Sequence, residues 1–224
     1  FGKVHIINST KGKNIALGIK SSIIGDSLAK VGAIVGNKTK NNECIPWIVK
    51  EYPEISDNYF NAIFGDEGSV GHSRNFPYIT LTRYNHLTSI LSSENANELN
   101  KKIKPLMKER KFSTGHKIKS IKFSKVRELA SKKLVKKIEN KGISKLLLDE
   151  SELLEKKGLR KRIWLSRLGL TGKGHYTTAT SIFINRKESV LKFYKEIGFS
   201  LSRKQDKLKH HLMKVGRISE TKTL

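Results

Sequence analysis

Residues 60–68 read Phe-Asn-Ala-Ile-Phe-Gly-Asp-Glu-Gly, and the last four pose a chemical problem. Asp66 and Glu67 stand together where the spacing predicts the carboxyl end of a helix, capped at its start by Ser56 and ended by Gly68. The macrodipole is negative at that end, so each acid there is disfavoured by roughly 0.3–1 kcal/mol. A cation placed beside them would reverse the sign. On the same helix Tyr59, Phe60, Ile63 and Phe64 are apolar, while Ala62, Gly65 and Ser69 form a stripe of small residues at spacings of three and four. A glycine inside a helix costs ~1 kcal/mol relative to alanine, so Gly65 points to close approach by another segment. The alternative for Asp66 and Glu67 is a solvated pair at a loop entrance, offset by neighbouring lysines.

At 224 residues the chain can bury a core without staples. Its 45 Lys and Arg against 20 Asp and Glu give a formal charge of +25. That excess goes far beyond what solubility needs, so a polyanion, nucleic acid first, is the expected partner. Residues 1–70 hold 8 Lys against 7 acids, leaving 37 basic and 13 acidic residues for the rest, which therefore carries the basic surface. Cys44 stands alone, which excludes an internal disulfide or a cysteine zinc cluster and suits a reducing, intracellular setting. Only His210 and His211 are adjacent among the histidines, so no imidazole metal site is readable. No apolar run approaches the roughly 18 residues of a membrane span. The chain begins at Phe1 instead of Met, and an upstream segment is expected.

The elements that must position the acids follow from periodicity and breakers. Val4 to Asn8 and Asn14 to Lys20 read as a hairpin, followed by a short helix ending at Gly32 and a proline-broken approach through Pro46 and Pro53. Residues 75–84 alternate as a strand, with Tyr78, Thr80 and Thr82 on one face and Ile79, Leu81 and Arg83 on the other. Residues 94–157 read as helix-rich and basic, then a hairpin turns at Gly172-Lys173-Gly174, and a last helix ends at Gly198. The segment 13–38 can be laid on 176–204: each is strand, turn, helix, glycine, lysine, and Gly32 precedes Lys38 by the interval that separates Gly198 from Lys204.

Residues 60–68 resemble the LAGLIDADG motif of homing endonucleases. The Pro46-Trp47-Ile48 approach to the helix and the "VLKFYKEIGFSLSRKQDKL" end of the chain are similar to that family's repeat. The resemblance implies an α+β fold in which αββαββα units pack their motif helices side by side and set antiparallel sheets into a DNA-gripping saddle. Residues 1–52 would be a partial first unit lacking its motif helix, 53–217 a second unit with a basic helical insertion around 94–145, and 218–224 a tail. It further implies a metal site at Glu67, with Gly65 and Asp66 beside it, holding Mg2+ or Mn2+. Lys204 is the candidate for the family's lysine near the scissile phosphate, with Lys38 in the duplicated position and Arg203 as the neighbouring alternative. Only one acidic helix end is visible, so cleavage would need a counterpart upstream of Phe1 or from a second copy docked through the motif helix.

Expected DNA contacts are Arg74, Tyr78, Thr80, Thr82 and Arg83 in the strand region after the motif, and Lys161, Arg162, Lys173 and Arg203 further on; basic and polar side chains there would hold phosphates and read base edges. The "LTGKGH" stretch lacks the spacing and the Ser or Thr of a phosphate loop. Trp47 and Trp164 read as core or hinge residues. The resulting function is a site-specific, metal-dependent endonuclease of the intron- or intein-associated homing type, acting on double-stranded DNA. Its rivals are a non-cleaving DNA or intron-RNA binder on the same scaffold, such as a transcription regulator or splicing maturase, and a sequence-indifferent RNA-associated basic protein.

Overall fold

The computed structural model describes residues 4–8, 15–19, 21–33, 44–73, 76–111 and 117–218. Strands β1 (Val4–Asn8) and β2 (Ile15–Ile19) pair antiparallel as the expected hairpin. Helix α1 (Ser22–Lys30) follows, capped by the Ser21 hydroxyl, and the chain leaves it through Gly32 at φ 89°. Pro46 opens the short helix α2 (Trp47–Glu51), and Pro53 is the first residue of α3 (Pro53–Asp66). A proline fits that first position because its missing N–H would have no helical partner. Ser56 is therefore not the cap expected from the sequence: it lies inside α3, buried.

The chain then forms β3 (Gly68–Ser73) and β4 (Phe76–His86), crosses to a second group of elements, and returns. That group comprises α4 (Ser93–Lys102), a single 3-10 turn at Lys104–Leu106, β5 (Lys108–Lys111), β6 (Lys117–Lys122), α5 (Phe123–Leu129) and α6 (Lys132–Lys141). Residues 94–145 are thus not purely helical as the sequence reads. The return runs through α7 (Lys145–Lys156), the hairpin β7 (Arg162–Leu170) and β8 (Tyr176–Ile184), α8 (Lys187–Glu196) and α9 (Ser202–Lys214). Gly174 at φ 80° makes the β7–β8 turn, and Gly198 at φ 66° ends α8 as Gly32 ends α1.

The architecture is α+β. One antiparallel sheet of six strands runs β3-β4-β8-β7-β6-β5, so the inserted pair extends it beyond β7. Helices cover one face in two patches. Phe60 and Phe64 of α3 pack with Phe193, Phe199, Ile79, Leu81 and Ile182; the Phe64 and Phe193 ring centroids are 4.8 Å apart. The other patch gathers Leu87, Leu99, Phe123, Leu134, Ile138 and Leu168 beneath the insertion. Each fully buried side chain of this size contributes about 1.5–3 kcal/mol. No helix among the described residues is long and apolar enough to cross a membrane.

Candidate nucleic-acid interface and the carboxyl end of α3

Side chains alternate across a strand, so register assigns each to a face. On β4, Ile79, Leu81 and Arg83 are buried against the helices, while Thr80, Thr82 and Tyr84 face the other way. Their partners on β8 are Phe183 for Thr80, Ser181 for Thr82 and Ala179 for Tyr84. The same rows continue onto β7, where Arg162 pairs with Phe183, Trp164 with Ser181 and Arg167 with Ala179, and onto β6, where Lys122 pairs with Arg167. A register shift between Leu165 and Arg167 keeps both arginines on the open face.

This open face combines cations, hydroxyls and rings. Thr82 and Ser181 share a hydrogen bond of 2.8 Å, and Ser69 and Thr80 one of 2.6 Å. The Tyr78 ring lies 4.7 Å from Phe183 and leans over Gly71, where an added Cβ would collide with it. Trp164 is 59% exposed, so it is a surface ring and not the core or hinge residue read from the sequence. None of Arg162, Arg167 and Lys122 has an ion-pair partner among the described residues.

The end of α3 is built differently. The Lys204 ammonium donates to the carbonyls of Gly65 at 2.6 Å and Asp66 at 2.9 Å, with Phe64 at 3.4 Å. These are orphan acceptors of the last helical turn, and a cation there is favoured by the macrodipole. Burial, with the nearby Arg203 charge, pushes the Lys204 ammonium below the usual lysine range, against the pull of Asp66. Glu67 accepts from the Arg83 guanidinium, whose Nε also donates to Glu150 at 3.1 Å. Glu150 is fully buried, accepts from a second Arg83 nitrogen, and takes a third bond from the Tyr59 hydroxyl at 2.7 Å. Burial, and then the Glu150 carboxylate, hold Tyr59 far above the usual phenol range; for Arg83, burial works against the charge, but the bonds to Glu150 and the charges of Glu150 and Glu67 outweigh it.

Arg83 is thus corrected from a DNA contact to a buried bridge, 4% exposed, between α3, β4 and α7. Gly65 meets its close neighbour inside the chain, because an added Cβ would strike the Ser200 side chain. The Asn61 side-chain amide donates to the Ile197 carbonyl at 2.7 Å and Ser200 N to the Asn61 carbonyl at 3.2 Å, fixing that turn against α3. Lys161 is held by Glu155 at 2.7 Å. Lys173 and Arg203 are exposed, in the β7–β8 turn and at the start of α9. Lys38 and Arg74 lie outside the described residues. The sequence reading missed Tyr84, Lys122 and Arg167; following the β4 alternation across to its neighbours would have found Tyr84.

The Mg2+ or Mn2+ that the resemblance implies would need carboxylate and carbonyl oxygens at the end of α3. There the Gly65 and Asp66 carbonyls serve Lys204, and Glu67 serves Arg83. No group of three or more His, Cys, Asp or Glu that could hold a metal occurs among the described residues. The described donors at the end of α3 do not by themselves fit a divalent ion. No family model, curated protein or solved structure matches the chain.

Proposed function

We propose that the chain recognises double-stranded DNA as a site-specific endonuclease of the LAGLIDADG homing type, with the open sheet face as its grip. The observation that carries this reading is the row Arg162, Arg167 and Lys122, cations without ion-pair partners among the described residues, interleaved with Tyr84, Trp164 and hydroxyls on one face. Such a face suits phosphates through its cations and base edges through its hydroxyls and arginines. The order α3-β3-β4, insertion, α7-β7-β8-α8 supports the αββαββα assignment, with the acids at the turn from α3 into β3. Cutting would require a second acidic helix end, from an upstream segment or a second copy against the exposed Asn58 and Ala62 side of α3. The metal would belong to that completed site, inside the cell where the target DNA lies.

A second reading, a binder on the same scaffold that does not cut DNA, has its own observation. Lys204 and Arg83 already neutralise the helix end. A supercoiled plasmid library carrying candidate sites, incubated with Mg2+ or Mn2+, separates the two. Nicking that is lost in Glu67→Gln while duplex binding persists supports the nuclease; binding without any nicking supports the binder. Loss of duplex binding at low salt in the folded protein would sink both.

A further inference from the structure

Where β5 meets β6 and α5, a groove of about 720 Å3 opens, within the roughly 300–1,000 Å3 range of small-ligand sites. Its apolar wall is made by Leu106, 51% exposed, Leu129, 39% exposed, and Ile121. Around that wall stand Lys108, Lys122, Lys125 and Arg167 against one lining carboxylate, Glu109. Lys125 is shared with Glu128 just outside the groove. Ser120 stands buried behind the groove, in the same β6 row as Lys122.

These features define the occupant. The cation excess selects an anion, and the leucines select an apolar or flat group attached to it. Ser120 and Arg167 also line a small hollow on the open sheet face with Tyr84, Gly169 and Thr177, so the groove adjoins that face. We propose that the groove holds an unpaired nucleotide of a strand whose duplex portion lies across the sheet. Its base rests on Leu106 and Leu129, and its phosphates face the lysines. This rests on reading the sheet face as a DNA interface, and it gives the insertion a role in taking single-stranded nucleic acid at one end of that interface.

The test compares fluorescence anisotropy titrations of a blunt duplex, the same duplex with a short single-stranded overhang, and one whose overhang is abasic. The overhang should tighten binding about fivefold or more, the abasic overhang should recover less of the gain, and Leu106→Glu with Leu129→Glu should abolish the gain while leaving blunt-duplex affinity in place. Lys125→Glu, on the exposed surface of α5, should weaken the gain if the double variant does not fold. An equal gain from the abasic overhang, no gain, or a gain that survives both variants would overturn the groove assignment while blunt-duplex binding stands. Should the blunt duplex not bind, the sheet reading fails separately. A single-stranded oligonucleotide then decides: binding weakened by Lys125→Glu supports the groove, and binding that is absent or unchanged overturns it.

Discussion

The carboxyl end of α3 and the open face of the sheet both concentrate charge, but they balance it in opposite ways. At the helix end two cations are answered inside the chain: Lys204 by backbone carbonyls, Arg83 by Glu67 and Glu150. On the face, Arg162, Arg167 and Lys122 are held side by side by strand register with no carboxylate opposite them among the described residues. Charges satisfied internally fix geometry. Charges left without a partner are what a polyanion can use, since neutralising phosphates releases condensed counterions.

The comparison breaks most severely at Arg83. Replacing it with Met strands the fully buried Glu150 carboxylate, and breaking a buried ion pair from one side costs about 3–5 kcal/mol. Denaturant unfolding should record that loss, and Arg83→Met combined with Glu150→Leu should recover much of it. An Arg83→Met protein as stable as the parent would mean that the bridge does not hold α3, β4 and α7 together.

On the open face the expected change is in binding and not in stability. Arg162→Glu with Arg167→Glu should weaken duplex affinity by about tenfold or more and flatten the log-log salt dependence by about 0.9 for each phosphate that is no longer neutralised. Unfolding midpoints should stay close to the parent. If affinity and salt slope are unchanged, the face is not the interface.

A smaller effect sharpens the other side. Lys204→Met removes the ammonium from the last turn of α3, and the melt should shift by an amount corresponding to about 0.3–1 kcal/mol. A shift seen with Met but rescued by Arg would assign Lys204 to helix capping. The smallest effect concerns Glu98, which accepts from the Ser131 N–H at 2.6 Å and its hydroxyl at 2.8 Å, and so joins α4 to the start of α6. Those bonds, followed by Lys102, hold its carboxyl below the usual range. A depressed folded value means that its stabilisation is present above the unfolded value and fades as pH falls through the folded one. The stability gap between parent and Glu98→Gln should therefore close on acidification. A gap constant with pH would contradict the coupling.

Local signals made much of this fold legible. The β4 alternation placed Arg83 with Ile79 and Leu81, and a charge on a core face is itself a sign of a buried pair. Its partner Glu150 lies 67 residues away in a stretch read only as helix-rich and basic, so no local pattern joined them. The sequence also required a cation at the end of α3; the structure supplies an ammonium from 138 residues downstream. β5 and β6 were missed because Lys108–Lys111 and Lys117–Lys122 are dominated by lysine, whose propensity favours helix, while their strand form depends on pairing to the β7 edge. Trp164 was misplaced because a lone tryptophan says nothing of its face until its pairing with Ser181 is known.

Trp164 offers the most direct test of the open face as the DNA grip. In a Trp47→Phe background it is the remaining tryptophan, and acrylamide quenching of its emission can be followed through a duplex DNA titration. Shielding of Trp164 that tracks the binding isotherm, and is reversed by added salt, is the expected result. Tight duplex binding that leaves Trp164 as accessible to acrylamide as in the free protein would place the DNA elsewhere and contradict the account.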